Sequence, residues 1–202
     1  MKKNGLILAG IFACCCTFAA GVSLEIDGRA QKIKVGEPTG LPTLYPSNGE
    51  NKIYYLEFRD KETAPLTWKE YSVSFVPEKT GYVTLGFATS GDTKKGMSCW
   101  VEYDKIEVIN SSLRNPSFEL LSTKNEIFSW RYYTKNTEKI NQKDAADGKN
   151  YIAVLRAMPV RQSMHVKAGQ KVTIKFMARS GGMTPLEKPT KYGSDQYAPQ
   201  AK

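Results

Sequence analysis

From Val22 onward almost every apolar segment of this chain has a period of two. Tyr71, Val73 and Phe75 alternate with Ser72 and Ser74, and Val83, Leu85 and Phe87 alternate with Thr84, Gly86 and Ala88. Val172, Ile174, Phe176 and Ala178 alternate with Thr173, Lys175, Met177 and Arg179. A period of two puts one face of a strand in a core and the other in or near water. Shorter runs predict further strands at Leu24–Ile26, Gln31–Val35, Ile53–Phe58, Cys99–Tyr103, Ile106–Ile109, Tyr151–Leu155 and Val160–Val166. Turn phrases rich in Gly, Pro, Asn and Asp separate them, among them "EPTGLP", "SNGEN", "TSGDTKKG", "DAADGKN" and "KAGQ". No segment sustains a helical period with caps. Many short strands and no helix predict an all-β fold, a β-sandwich.

One strand pattern breaks phase. In "CWVEYDKIEVI" the apolar positions are odd at Cys99, Val101 and Tyr103 and even at Ile106 and Val108. The slip falls at Asp104-Lys105 and predicts a β-bulge or bend there. A carboxylate turned out of the pleat at such a bend is a ligand candidate; a solvated surface Asp at a strand kink is the plainer alternative.

The chain has 202 residues, enough for one ordinary domain or two small ones. Its start reads as a leader: Lys2 and Lys3, an apolar run from Gly5 to Phe18, then small residues at Ala19, Ala20 and Gly21. That run is short for a membrane span and fits a signal peptide over residues 1–20, hence a secreted, periplasmic or cell-envelope protein of bacterial type. Ile11-Phe12-Ala13-Cys14 offers the alternative of a lipoprotein anchored through Cys14, the one expected route to a membrane. Cys99 alone remains in the folded part, so no disulfide within one chain is expected, and Cys99 reads as a small buried hydrophobe. Residues 22–182 are expected to form the domain, and the aperiodic, Pro- and Lys-rich stretch 183–202 a flexible tail.

The formal charge is +9, with the basic residues scattered rather than blocked. No nucleic-acid-binding motif accompanies them, so the charge reads as solubility and attraction to anionic surfaces such as acidic glycans or envelope lipids. Catalytic phrases are missing as well: no nucleophile elbow, no HExxH, no phosphate-binding loop, no dinucleotide fingerprint. His165 is the only histidine, and it shares a strand face with Arg161 and Ser163. Glu102, Asp104, Glu107 and Glu119 are available carboxylates without a recognisable catalytic frame. The expectation is a protein that is not an enzyme.

A set of phrases resembles the galactose-binding-like jelly rolls, including carbohydrate-binding modules of families four, nine and twenty-two. "NPSFE", Trp130, "DGKNYIAVL" and "RQSMHVKAGQKVTIKFMARSG" resemble the opening half of that family, with Val172 where a Tyr is usual. "YLEFRDKE", "WKEYSVSF", "YVTLGFATSG" and "WVEYDKIEV" resemble its closing half. Here the closing half, Ile53 to Val108, precedes the opening half, Asn115 to Arg179. The order implies either a circularly permuted jelly roll, its old ends joined through "INSSLR", or two incomplete modules that pair with other copies as a swapped dimer or fibre. Each half alone is small for a sandwich, which favours one permuted domain.

The resemblance implies non-catalytic recognition of a glycan or a cell-surface partner. The alternative is a structural or assembly subunit, pilus- or adhesin-like, whose β-halves complement each other between chains. The family's structural calcium draws on its Phe-Glu opening and closing-strand Asp, and the matching positions are Glu119 and Asp104. Lys105 is the rival partner for those carboxylates. Sugar-stacking aromatics are absent from the outward positions of the best strands, so Tyr132 and Tyr133 stand as ligand-binding candidates, with Tyr54 and Tyr55 behind them. Trp68 and Trp130 match positions that pack in the family's core.

Overall fold

A computed structural model of the chain describes residues 23–26, 29–31, 42–46, 53–58, 65–89, 97–133, 144–155 and 158–185. The leader over 1–20, the Cys14 anchor and residues 186–202 lie outside that set. Among the described residues ten strands are formed: β1 (Ser23–Ile26), β2 (Arg29–Gln31), β3 (Pro42–Pro46), β4 (Ile53–Phe58), β5 (Lys69–Phe75), β6 (Gly81–Thr89), β7 (Met97–Ile109), β8 (Ile152–Leu155), β9 (Val160–Val166) and β10 (Val172–Pro185). No helix occurs among the described residues. The strands make a six-stranded sheet, ordered β2-β1-β5-β10-β7-β8, and a four-stranded sheet, ordered β3-β4-β6-β9. All pairs are antiparallel except β4 with β6, which runs parallel.

The period-two runs place the core. Tyr71, Val73 and Phe75 of β5, Ile174, Phe176 and Ala178 of β10, and Val101 and Tyr103 of β7 face inward from the larger sheet. Leu56 and Phe58 of β4, Val83, Leu85 and Phe87 of β6, and Val160, Met164 and Val166 of β9 meet them from the smaller one. This is the β-sandwich the alternation predicts. Its centre is aromatic: Phe87 lies 5.0 Å from Tyr103, 6.0 Å from Phe176 and 5.9 Å from Trp130, ring centre to ring centre. The Tyr103 hydroxyl donates to Ala88 O at 2.8 Å, so the one polar atom this ring brings inside is satisfied and ties the two sheets together.

The predicted phase slip is a bulge in β7. Lys175 pairs with Glu107 and Met177 with Asp104, so Phe176 alone stands opposite Lys105 and Ile106. Lys105 takes φ 49°, the left-handed conformation that lets the extra residue fit. A second irregularity between Ser180 and Gly182 inserts Gly181 into β10, where a Cβ would come within 2.8 Å of the Trp100 side chain.

Of the expected strand Gln31–Val35 only Gln31 is among the described residues, as part of β2. Two other boundaries differ from expectation. β3 forms at Pro42–Pro46, outside the expected strands and starting on the last residue of the turn phrase "EPTGLP"; it is the last strand of its sheet, where proline costs least. β10 continues through Met183 to Pro185 by pairing with Met97–Cys99, so the expected tail begins inside a strand.

The chain on either side of Asn115 is interleaved. β10 lies between β5 and β7, and β9 completes the sheet begun by β4 and β6. The link between the halves is fixed in place. Gln162 clamps Arg114 through both its amide atoms, at 2.6 and 2.9 Å, Ser111 Oγ donates to His165 O at 2.7 Å, and Asn110 Nδ2 donates to Lys171 O at 2.8 Å. A fragment of residues 22–110 loses β8, β9 and β10 and leaves β5 and β7 without the strand between them. It should be insoluble or molten, binding a hydrophobic dye and melting without a cooperative transition. A sharp thermal transition in that fragment would show instead that the first half folds alone.

Candidate functional site

The site is built around one turn, Asp147–Asn150, from the phrase "DGKN". Two carboxylates hold it. Asp104 Oδ2 accepts the Asp147 N–H at 2.9 Å, and Oδ1 accepts the Lys105 N–H at 2.7 Å. Glu119 Oε1 accepts the Lys149 and Asn150 N–H groups at 2.9 and 2.8 Å, and Oε2 meets Asn150 Nδ2 at 3.3 Å. Gly148 lies beneath the Glu119 carboxyl with φ +62°, and a Cβ there would come within 2.5 Å of Oε1. Only glycine serves both the conformation and the space.

Each carboxylate is aimed by a local irregularity. The β7 bulge turns Asp104 toward the turn, and Ile106 N–H reaches Pro116 O at 3.4 Å, joining the bulge to the "NPSFE" segment. In that segment Asn115 is the hub. Its side chain accepts from Leu120 N at 2.9 Å and donates to Leu120 O and Phe128 O at 3.0 and 3.1 Å. Its carbonyl takes the Trp130 indole N–H at 2.8 Å. Asn115 and Phe118 both adopt positive φ, 48° and 61°. That conformation is ordinary for Asn but costly for Phe. It is held because the Phe118 ring fills the core 5.1 Å from Trp130, leaving Glu119 at the turn.

Asp104 is fully buried, at 0% exposure. Burial pushes its carboxyl from 3.8 up to about 6, against the opposing pull of the backbone N–H groups of Asp147, Lys105 and Ala146. The rival partner Lys105 is exposed, and it is the Lys105 backbone that meets Asp104. Asn150 Oδ1 is buried with no hydrogen-bond partner. The polar atoms around the turn are two carboxylates, each of whose oxygens accepts an N–H, and one buried amide oxygen; oxygen ligands suit calcium rather than a transition metal. Among the described residues no group of three or more His, Cys, Asp and Glu comes together, so further ligands would be amide and backbone oxygens.

Beside the turn lies a closed cation cage that the alternation pattern does not reveal. Arg179 Nε donates to Glu102 Oε2 at 2.5 Å, and Nη1 donates to Asp144 Oδ2 at 2.6 Å. The guanidinium lies 4.4 Å from the Trp68 ring centre and 5.2 Å from that of Tyr151. Trp68 Nε1 donates to Asp144 O at 2.6 Å, and the Tyr151 hydroxyl donates to Glu102 Oε1 at 3.3 Å. Burial works against the Arg179 charge, but the bonds to Asp144 and Glu102 outweigh it and hold its pKa above the ordinary value. Burial and the Glu102 charge push Tyr151 up to about 12, and the hydrogen bond from Arg179 holds Asp144 low. Trp68 is therefore a half-exposed lid on Arg179 outside the core, whereas Trp130 is a core residue as expected.

The aromatic candidates are corrected. Tyr132 is 1% exposed, its hydroxyl accepts the Ile127 N–H at 3.1 Å, and burial raises its pKa. Tyr133 is half-buried against Trp100, Ala153, Leu155 and Met158. The reason is alternation: Arg131 bridges Arg161 of β9, so Trp130 and Tyr132 on either side of it point into the core. Adjacent tyrosines on an extended chain cannot share one platform. The side chains of Tyr54 and Tyr55 lie outside the described residues. The aromatic that sequence reading missed is Tyr82, 53% exposed and 5.3 Å edge-to-face from His165. Extending the Thr84–Ala88 outward parity back by two residues would have found it. Compared with protein-family models, curated proteins and solved structures, the chain finds no match in any of the three.

Two outcomes follow from this geometry. Between about pH 4 and pH 6 native Asp104 holds more proton than unfolded Asp104, so its contribution to stability is present at low pH and lost as pH rises through about 6. In chelator, the melting temperature of the wild type relative to Asp104→Asn should fall over that window and then level; a flat difference would mean that Asp104 is not desolvated. Arg179→Met should cost about 3–5 kcal/mol in urea denaturation, because it strands the buried Glu102 carboxylate, and adding Glu102→Gln should recover part of the loss. A cost below about 1 kcal/mol would mark the cage as a surface ion pair.

Proposed function

We propose that the chain is a binding module of the galactose-binding-like kind, a jelly roll with its halves in permuted order, exported to the cell envelope or beyond. It recognises a glycan on a surface and performs no chemistry on it. The observation that carries this reading is the meeting of three separated phrases at one turn. Glu119 of "NPSFE", Asp104 of "WVEYDKIEV" and the "DGKN" backbone converge where the resemblance sets the family's calcium. Asp104, Glu119 and Asn150 would hold that ion. Its chemistry would be structural: positive charge for two carboxylates that otherwise rely on backbone N–H groups.

The leader with its Cys14 alternative supports export, as secreted protein or lipoprotein. The assembly reading, in which chains lend β-halves to one another, finds less support. Strands from both sides of Asn115 already pair within one chain, which favours a closed unit.

Calcium in excess should raise the melting temperature by mass action, by about 2.7 kcal/mol of stability at a hundredfold over its Kd. Chelator should lower it, and Glu119→Gln should abolish the difference. On native gels cast with polysaccharides the chain should be retarded by at least one of them. Coincident melting curves with and without calcium would remove the ion from the proposal. Unretarded migration on every gel, with concentration-dependent oligomers by size exclusion, would favour the assembly reading.

A further inference from the structure

The outer face of the four-stranded sheet carries three successive rows of side chains across β6 and β9. Tyr82 stands opposite His165, Thr84 opposite Ser163, and Gly86 opposite Arg161. The first row is an exposed aromatic pair at 5.3 Å. In the second, Thr84 Oγ1 and Ser163 Oγ lie 3.2 Å apart, two hydroxyls with bonding capacity left over. In the third, Gly86 contributes no side chain. Arg131 continues that row: it bridges Arg161 through two backbone hydrogen bonds of 2.8 Å, so the two arginines project from the same side of the sheet. Arg131 is exposed and Arg161 half-buried, so two guanidinium groups stand at that end of the face.

The rows are two residues apart along each strand, so the face runs about 13 Å from the Tyr82 row to the arginine row. That is the length of a short oligosaccharide. An aromatic ring offers a flat apolar surface with a polar tip, hydroxyls read sugar hydroxyls, and guanidinium groups take carboxylate or sulfate in a fork. The net charge of +9, or +9 − 2 = +7 without Lys2 and Lys3 of the leader, adds long-range attraction for a polyanion.

We propose that this face binds an acidic polysaccharide. A pyranose ring lies on Tyr82 beside His165, its hydroxyls meet Thr84 and Ser163, and an acidic group on the same chain meets Arg161 and Arg131. This deepens the glycan-binding reading above and rests on it.

The test uses the full chain on native gels containing polygalacturonate, a neutral hydroxyethylcellulose, or dextran sulfate. Polygalacturonate should retard the wild type more strongly than the neutral polymer, and added salt should weaken that retardation. Tyr82→Ala should reduce it about tenfold. Arg131→Gln should remove the preference for the acidic polymer and flatten the salt dependence. Both positions are exposed, and unchanged melting temperatures would confirm that both variants fold. Retardation by polygalacturonate that Tyr82→Ala leaves intact, or by dextran sulfate alone, would overturn the proposal in favour of charge attraction without a site. Retardation by the neutral polymer that neither variant changes would overturn this face while leaving the glycan-binding reading standing. No retardation on any gel would overturn both.

Discussion

Two carboxylates holding one turn is the constraint from which the rest of this structure follows. The Asp147–Asn150 turn is not part of either sheet, so its N–H groups need partners outside a ladder. Asp104 and Glu119 supply them, and Arg179 and Trp68 tie down Asp144 a few residues earlier. The arrangement carries a penalty that the sequence had to accommodate. Asp104 loses its hydration, and burial raises its carboxyl to about 6 although three backbone N–H groups pull it the other way. The bulge in β7 and the glycine at 148 exist where they do because the clasp needs them.

The "NPSFE" phrase acquires a physical meaning from the same constraint. A turn that must plug the core with Phe118 and at the same time present Glu119 to an outer turn has to reverse the side-chain direction within one residue. The left-handed φ of Phe118 does that. Asn115 makes it affordable by bonding Leu120, Phe128 and Trp130. Recognition of the phrase in a sequence is thus recognition of a geometry. Asn, Phe, Glu and a later Trp each answer a separate requirement, and none of them is replaceable by mere hydrophobicity.

The fold was legible because its strands alternate. Val160–Val166 and Ile53–Phe58 match their predicted bounds, and the odd-to-even slip in β7 located its bulge from parity alone. What alternation cannot reveal is which residues far apart in the chain share the outer face of a sheet. Arg179 reads as one more outward polar residue on β10, yet it is sandwiched between Trp68 and Tyr151 with Glu102 buried beneath it. Tyr132 failed for the opposite reason. A single bridge from Arg131 to Arg161 sets the parity that sends Tyr132 inside. One long-range pair decided the direction of a side chain that local sequence left open.

The division of labour between the two outer faces is the last consequence. Near β7 and β10 the six-stranded sheet spends its outer face on the clasped turn and on a cage whose aromatic walls are filled by the protein's own guanidinium. An external cation or sugar finds that cage occupied by Arg179, held by two carboxylates and two rings. Over β6 and β9 of the smaller sheet Tyr82 and His165 are exposed, Thr84, Ser163 and Arg161 are half-buried, and Gly86 is buried. For the recognition proposed above, the strands of the smaller sheet hold the outward side chains at fixed spacing. A rigid strand scaffold fixes the spacing of the contacts before the ligand arrives, so little ordering entropy is lost on binding.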